Sequence, residues 1–533
     1  MNRKSLGWNF PRPYPVHRGA VMAANGMVSS AHPLATSTGV DVLRRGGTFI
    51  DAALATAAVL NVVEPYNSNL GGDVFMIVYD AKSGETIALN GSGVAPASAT
   101  IDRFRNGIPT DGLAAASVPG QVHGWLTAHG RWGTWELSEL FAPAIRYAEE
   151  GFPANMQLAR AIAGVQQRIE RFPSSQRVFG TVPGPGDMWS NPELGSTLRT
   201  IAAGGIDAFY RGEIAERIAD FCAANDGYIT VDDLAAHETV ISSPITTDYR
   251  GYTVYEQPLV SQGHILVEEL NITEGFDLSE WGPLSADTVH ASVEAKKLAF
   301  ADKRRYSGDP KFARIPIDTI LSKGFAVRRR REIDLRCAAD NPEAGPLESH
   351  DTTYFCVADR DGNAVSFIQS IFHGFGCGVV IDGTGMLLNN RMACFTLDEG
   401  NPNCLAPGKR PIHTLNTYMI HREGRPYIVG GTPGGDVQVQ TNLQVIQKLL
   451  DFGWTPQEAV EAPRWMHGDG LGLTLENRFS AETISELTTR GHAIQTVDQF
   501  GSSGNAQVIL VHPENGAFIA GSDPRGDGCA LGW

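Results

Sequence analysis

Two threonines, Thr352 and Thr353, lie where a polar loop meets an apolar, β-branched run of the sequence. A threonine hydroxyl is a poor nucleophile unless a base takes its proton. If the chain is cut between Asp351 and Thr352, the freed α-amine, with a reference pKa of about 8, can act as that base. Thr352 would then hold both groups needed to attack an amide carbonyl. Considered alone, however, a threonine at the start of a strand is also explained by ordinary β propensity.

An attack on an amide also needs hydrogen-bond donors for the negatively charged oxygen that forms. The run TPGG, which ends in Gly434 and Gly435, fits this need. Glycines expose their backbone N–H groups without a Cβ in the way. A plain tight turn is the alternative interpretation of the same run.

The segments before these residues combine helices and strands. Apolar spacing and end signals predict two helices, over residues 34–46 and 49–63, and then a strand pair over 74–80 and 86–90. Most periodic segments between about 121 and 305 have helical spacing, which predicts a mainly helical shell there. A polar, Pro- and Gly-rich stretch at about 337–351 predicts an exposed loop, and we place the main boundary in it.

The second half begins as sheet. Asp361-Gly362 joins two apolar runs and is a strong hairpin signal. Further strands are predicted over 416–421, 426–431, 507–512 and 517–521, and helices over 437–452 and 482–490. Two halves that each pair helices with antiparallel strands predict an α+β sandwich, with the strands packed inside helical layers.

Composition limits the classes of function. The 533-residue chain has 43 Lys and Arg against 59 Asp and Glu, and this charge of −16 disfavours a broad surface for nucleic acid or an anionic membrane. No apolar run reaches the roughly 18 residues of a membrane span. The basic amino terminus breaks into Trp and Pro where a signal peptide would need an apolar core, so a cytoplasmic location is expected.

Neither a cofactor nor a metal is expected. The seven cysteines form no CxxC pair and the 14 histidines show no ligand spacing. Gly374, Gly376 and Gly378 resemble part of a dinucleotide fingerprint, but the sequence continues as a strand where that site would need a helix. A glycine-rich turn lining a site is the favoured interpretation, and the expected partner is a small molecule.

Several long motifs, in the same order, make this chain resemble the γ-glutamyltransferase family of N-terminal nucleophile (Ntn) hydrolases. They include GMVSSAHPLATSTGVDVLRRGG, NLGGDVFMIVYDAKSG, ASVPGQVHGW, PITTDYRGYTVYEQP, DTTYFCVADRDGNAVSFIQS, GTGMLLNN, APGKRP and GTPGGDVQVQTNLQVI. The resemblance covers nearly the whole chain. It implies a four-layer αββα sandwich and a precursor that cuts itself before the first threonine of the DTTYF motif.

The resemblance also assigns residues. Asp351, Thr352 and Thr353 would form the processing site, and the cut would leave a large chain, 1–351, and a small one, 352–533, paired as a heterodimer. Thr352 would be the nucleophile and Ser370 would stand where the family has a supporting threonine hydroxyl, with a solvated strand serine as the alternative. The amides of Gly434 and Gly435 would form the oxyanion hole. The oligomeric state, including a dimer of such heterodimers, is left open.

The residues that bind glutamate in the family are replaced here. Ser92 stands where the family has an arginine for the α-carboxylate, and Cys394 where it has an aspartate for the α-amine. His413-Thr414 replaces a Ser-Ser pair. Phe372 replaces an asparagine.

Arg391 is the best candidate for a relocated carboxylate clamp, because its planar fork pairs bidentately with a carboxylate. A surface arginine in a salt bridge is the alternative. His373 and His413 would shape the same pocket or be satisfied core histidines.

Three hypotheses follow. The first is an autoprocessed amidohydrolase that hydrolyses or transfers a γ-glutamyl-type acyl group through a Thr352 acyl-enzyme, with glutathione as the substrate that the resemblance implies. The second keeps this chemistry for a small non-glutamyl carboxylate amide such as oxamate, or for an acylase-type side chain. The third is a processed but catalytically idle scaffold.

Overall fold

The computed structural model describes residues 16–340 and 352–533. Within them the chain folds into two seven-stranded antiparallel sheets packed face to face, with helices on both outer faces. The predicted four-layer α+β sandwich is thereby confirmed. Asp351 lies outside the described residues.

The strands, in chain order, are β1 (Val21–Ala23), β2 (Gly26–Ser30), β3 (Asp73–Asp80), β4 (Glu85–Gly91), β5 (Phe152–Pro153), β6 (Met188–Trp189), β7 (Val240–Ser242), β8 (Ile245–Tyr249), β9 (Tyr252–Glu256), β10 (Thr353–Asp359), β11 (Ala364–Ser370), β12 (Val380–Ile381), β13 (Met386–Leu387), β14 (Tyr418–Arg422), β15 (Arg425–Gly431), β16 (Trp465–His467), β17 (Gly472–Glu476), β18 (Ala493–Val497), β19 (Gln507–Val511), β20 (Phe518–Ser522) and β21 (Cys529–Gly532).

The helices are α1 (Pro33–Arg44), α2 (Phe49–Val63), α3 (Gln121–Trp132), α4 (Leu137–Glu150), α5 (Met156–Ile169), α6 (Pro173–Phe179), α7 (Pro192–Tyr210), α8 (Glu213–Ala224), α9 (Val231–Ala235), α10 (Gly263–Thr273), α11 (Leu278–Trp281), α12 (Ala286–Tyr306), α13 (Ile317–Ile320), α14 (Lys323–Arg330), α15 (Val437–Leu450), α16 (Pro456–Glu461) and α17 (Ala481–Thr489).

Sheet I has the strand order β21-β2-β10-β11-β3-β4-β7, and sheet II the order β1-β20-β19-β15-β14-β9-β8. Side chains alternate across sheet I, since Phe75 and Ile77 face sheet II while Met76 and Val78 face the helices. Helix α2 is buried along its whole length and begins with a capping box between Thr48 and Asp51. Its position fixes the outer face of sheet I.

Strands from both sides of the expected cut alternate within the two sheets. In sheet I, β10 and β11 lie between β2 and β3, and in sheet II, β14 lies beside β9. The two predicted halves, 1–351 and 352–533, therefore share both sheets, while the cut itself stays a prediction.

The stretch 121–305 is mainly helical, as expected, and holds helices α3 to α12, but it also contributes strands to both sheets. This stretch contains β7, β8 and β9, which extend the edges of both sheets. The segments ITTDY and YTVYE alternate and are rich in β-branched and aromatic residues, so they suit a half-buried edge hairpin rather than a helical shell.

The hairpin turns and the start of β10 lie at opposite ends of the sandwich. The turns after β10, β14 and β19 line one cavity of about 800 Å³. At the other end, Thr352 precedes β10 and the TPGG run follows β15. Among the described residues, no helix is long and apolar enough to cross a membrane.

Candidate active site

Thr352 and Ser370 lie side by side at the end of sheet I. The register pairs Thr353 with Gln369, which brings the residue before β10 next to the last residue of β11. The Thr352 hydroxyl donates a hydrogen bond of 3.2 Å to Ser370 Oγ, and Ser370 Oγ also accepts from the Phe372 N–H at 2.8 Å. Thr352 is 2% exposed and Ser370 is fully buried, so Ser370 is not a solvated strand serine. The predicted nucleophile and its supporting hydroxyl are within hydrogen-bonding distance.

The TPGG run turns from β15 into the N-terminus of α15. Gly434 and Gly435 have φ of +125° and +59°, which L side chains rarely adopt. The carbonyl of Gly434 accepts from Val437 N at 3.0 Å, and that of Gly435 accepts from Gln438 N at 3.2 Å. Because these carbonyls point into the helix, the N–H group of Gly435 points away from it. A helix N-terminus also favours negative charge.

The glycine turn and Thr352 leave the sandwich at the same end. The ring of Tyr354 lies against the backbone of Gly431, so the first residues of β10 lie over the last residue of β15. The Ser366 hydroxyl, which bonds the Tyr354 hydroxyl, also donates to the Gly430 carbonyl at 3.2 Å. Side chains between the sheets thus hold the two predicted catalytic segments together.

Arg391 is buried rather than exposed, so it is not a surface arginine. Its Nε donates to Asp73 Oδ2 at 3.2 Å with both side chains at 0% exposure. The guanidinium carbon lies 4.5 Å from the ring centre of Phe372, and Nη1 lies 4.0 Å from Cys394 Sγ. Nη2 is buried and makes no hydrogen bond within the described part of the chain. The clamp role stays a prediction, now with Asp73 as a competing carboxylate.

Asp73 extends the row of polar residues along the end of sheet I. It pairs in register with Ser370, and its Oδ1 accepts from the Gly93 N–H at 2.8 Å. Burial raises the pKa of Asp73 to about 6, although the Arg391 charge opposes that shift. Asp73 therefore links the loop after β4 to Arg391.

A cavity of about 310 Å³ opens beside these groups. Its lining includes Cys394, His413, Thr414 and Asp436. Both ring nitrogens of His413 and the Thr414 hydroxyl are buried without a hydrogen-bond partner among the residues described. Burial, with the nearby charges of Arg391 and Arg410, lowers the pKa of His413 well below its usual value, so its ring is neutral. The pocket offers polar atoms that protein groups do not satisfy.

Ser92, Phe372 and His373, which were predicted to bind substrate, do not line this cavity. Ser92 is buried, and its hydroxyl donates to Asn90 Oδ1 at 2.6 Å. Phe372 has φ of +80° and lies under Arg391, with the half-buried His373 ring stacked 4.4 Å away. Ser92 therefore has a turn-forming contact, and Phe372 acts as a platform for the arginine.

Sequence reasoning missed Asp73, Gln262 and Lys303. Asp73 lies inside the NLGGDVFM motif, whose polar residue before an apolar run was the available signal. Gln262 donates to the Gly435 carbonyl at 3.0 Å, and Lys303 pairs with Asp436. No local pattern distinguishes these two from ordinary surface residues.

One cluster within the described ranges has the spacing of a metal site, formed by His290, Glu294 and His492. His290 Nδ1 bonds His492 Nε2 at 2.8 Å, and Glu294 is paired with Lys297 at 2.7 Å. The ammonium group of Lys297 satisfies the carboxylate and repels a cation, so these contacts favour a structural cluster.

Comparisons with known proteins identify the family and the fold. The family model described as gamma-glutamyltranspeptidase matches residues 35–533. A glutathione hydrolase-like proenzyme, YwrD, of Bacillus subtilis is 38% identical over 96% of this chain and 99% of its own length. An oxamate amidohydrolase proenzyme of Klebsiella pneumoniae is 35% identical over 96% of this chain and 99% of its own length. A crystal structure of a cephalosporin acylase from Bacillus halodurans has a TM-score of 0.92, with 38% identity and 98% of both chains covered.

The fold and these matches define an Ntn-hydrolase, an enzyme of the hydrolase class. Within that class, the chain belongs to the γ-glutamyltranspeptidase family.

Proposed function

We propose that this protein is an autoprocessed amidohydrolase in which Thr352 is the nucleophile. The observation that carries the proposal is the 3.2 Å hydrogen bond between the Thr352 and Ser370 hydroxyls, at the end of the sandwich where the glycine turn also emerges. Cleavage of the Asp351–Thr352 bond frees the α-amine that serves as the base. That its relatives carry the name proenzyme supports such a cut.

In the first half of the reaction, Thr352 Oγ attacks the amide carbonyl carbon while its proton passes to the freed α-amine. The N–H groups of the Gly434–Gly435 turn stabilise the oxyanion. Collapse of this intermediate breaks the C–N bond, and the leaving amine takes the proton. Water or an acceptor amine then attacks the acyl-enzyme ester, releases the acid or the new amide, and restores the threonine hydroxyl.

The acyl group is proposed to carry a carboxylate. Arg304 lines the cavity, and Arg391 lies directly behind its wall at Cys394. The Arg304 charge favours an anionic group, whereas Arg391 is already paired with Asp73 and the lining Lys303 with Asp436. The Ser92 and Cys394 replacements remove an arginine and an aspartate that would hold the two ends of glutamate, so a carboxylate-bearing amide without an α-amine is favoured. The γ-glutamyl reaction is the second candidate, favoured by the family match.

Purified protein incubated separately with glutathione, γ-glutamyl-p-nitroanilide and oxamate tests both candidates. Release of ammonia from oxamate, with little turnover of the two γ-glutamyl compounds, supports the first candidate. The reverse order supports the second. Thr352→Ala is the control, and turnover that survives in it contradicts the threonine mechanism.

A mature chain that turns over none of the three compounds would favour the idle scaffold. Covalent labelling of Thr352 by an electrophilic amide analogue separates this outcome from a wrong choice of substrate. A labelled Thr352 shows a competent nucleophile, whereas an unlabelled one removes the catalytic proposal.

A further inference from the structure

The carboxamide of Gln262 connects the glycine turn to the wall of the cavity. Gln262 is fully buried and immediately precedes α10. Its Nε2 donates to the carbonyl oxygen of Gly435 at 3.0 Å and also to that of Thr414. One side chain therefore fixes the turn relative to a residue that lines the cavity.

Lys303, on α12, holds this carboxamide in one orientation. Its Nζ donates to Gln262 Oε1 at 3.3 Å. A glutamine carboxamide can turn by 180° with little change of shape, which exchanges its oxygen and nitrogen. In the turned orientation, the oxygen of Gln262 would face two carbonyl oxygens and its NH₂ group would face an ammonium. The charge of Lys303 thus selects the orientation in which Gln262 donates to the turn.

Lys303 also anchors the turn from its other side. Its Nζ pairs with Asp436, which directly follows Gly435 and precedes α15. The side chains of Lys303 and Asp436 are 13% and 10% exposed, so water screens their attraction only weakly. The peptide between Gly435 and Asp436 is therefore held at its carbonyl by Gln262 and at its next side chain by Lys303.

We propose that Gln262 and Lys303 are positioning residues that hold the Gly434–Gly435 turn in the orientation that stabilises the oxyanion. The inference rests on the proposed function, since it concerns the same reaction. Both residues act on the carbonyl side of the turn, and the N–H groups on its opposite side meet the substrate. Loss of Gln262, which does not line the cavity, should therefore slow the chemical step and leave substrate binding nearly unchanged, whereas loss of Lys303, which lines it, should slow the chemical step and also raise KM.

Three variants test this assignment. Gln262→Glu keeps the shape but replaces the donating NH₂ with an oxygen. Lys303→Met keeps most of the stem and removes the charge, while Lys303→Arg keeps the charge. For the first two we expect kcat to fall by about tenfold to a hundredfold, because a misplaced donor acts mainly on the transition state. KM should stay within about threefold of wild type in Gln262→Glu and rise further in Lys303→Met, since Lys303 lines the cavity. Lys303→Arg should recover most of the lost kcat.

The chain supplies matched controls. Lys297 is a buried lysine on the same helix, paired with Glu294 at 2.7 Å. Gln444 is a buried glutamine whose Nε2 also donates to two carbonyls, those of Gln440 and Trp465. Lys297→Met and Gln444→Glu therefore measure what loss of such contacts does through stability alone. Their kcat should stay near that of wild type at a temperature where all variants are folded.

The measurements are kcat and KM with the best of the three test amides, after intact mass confirms maturation. A kcat loss in Lys303→Met no larger than in Lys297→Met, or a loss confined to KM, overturns the assignment. Should Gln262→Glu fail to fold, Lys303→Met and its recovery in Lys303→Arg decide the question. Failure of the proposed function is seen separately, as turnover that does not require Thr352, and the inference then falls with it.

Discussion

Asp73 and Arg391 form an ion pair from which solvent is fully excluded, with Nε 3.2 Å from Oδ2. Asp73 lies on the strand next to Ser370, and Arg391 lies against Cys394 at the cavity wall. The pair therefore joins the row of polar residues at the end of sheet I, beside Ser370, to the cavity lined by Cys394. Any test of Arg391 as a carboxylate clamp must account for the carboxylate that it already holds.

Replacement of Arg391 by Met should lower kcat/KM for a carboxylate-bearing amide by about one to two powers of ten, the equivalent of about 1.5–3 kcal/mol for a charge-assisted contact. It should also lower stability by about 3–5 kcal/mol, since a buried charge loses its partner. The double variant Asp73→Asn, Arg391→Met separates the two effects, because it should regain stability without regaining activity. Steady-state kinetics and denaturant unfolding measure them. Full activity on acidic amides in Arg391→Met would reject the clamp.

Replacement of Thr352 by Ala should leave one uncut and inactive chain of 57.3 kDa, because both the cutting hydroxyl and the later nucleophile are lost. Wild type should convert to two chains with Thr352 at a new amino terminus. Intact mass and terminal sequencing report both outcomes. A processed Thr352→Ala protein would contradict the assignment of the nucleophile.

Replacement of Gly435 by Val should reduce kcat by about a hundredfold or more, as expected when an oxyanion donor is lost. The backbone here has φ of +59°, which a β-branched residue adopts only with strain, so the turn must change. Turnover by the correctly processed variant is compared with turnover by Gly408→Val. Gly408 has φ of +72° in an exposed loop with open space around it. Normal turnover by Gly435→Val would show that these glycines do not form the oxyanion hole.

Asp73 should make stability depend on pH. Its pKa is raised from an ordinary 3.8 to about 6, so the folded protein binds this proton more tightly than the unfolded chain does. The contribution of Asp73 to stability is therefore fully present below about pH 4 and is lost as the pH rises through 6. Denaturant unfolding from pH 4 to 7 should show the difference between wild type and Asp73→Asn falling across this window. A constant difference would mean that the pKa is not raised.

The sequence was sufficient to predict the layers and to bring Thr352 and Ser370 together, whose hydroxyls are hydrogen-bonded. Hairpin signals and long motifs located β10, β11 and the TPGG turn, because each depends on local chemistry. The edge hairpin of β8 and β9 was missed. Its turn is made by Arg250 and Gly251, which both have positive φ, and the glycine was the available signal. Its neighbours are helical, and their periodicity dominated the interpretation of that stretch.

Contacts between distant residues could not be predicted in the same way. Arg391 pairs with Asp73 across 318 positions, and Gln262 contacts Gly435 across 173. Whether an arginine is exposed or buried depends on which loops converge on it, and only the assembled sandwich determines that. The clamp hypothesis therefore identified an unusual residue but not its partner.

The alternation of strands within both sheets affects how the cut protein would refold. If the bond before Thr352 is cut as proposed, β10 and β11 belong to a different polypeptide from their neighbours β2 and β3. The precursor can fold as one molecule, whereas two separated fragments must first find each other, so their recovery becomes second order and depends on concentration. The precursor would thus unfold reversibly, whereas the cut protein would stay folded because the barrier to its unfolding is high.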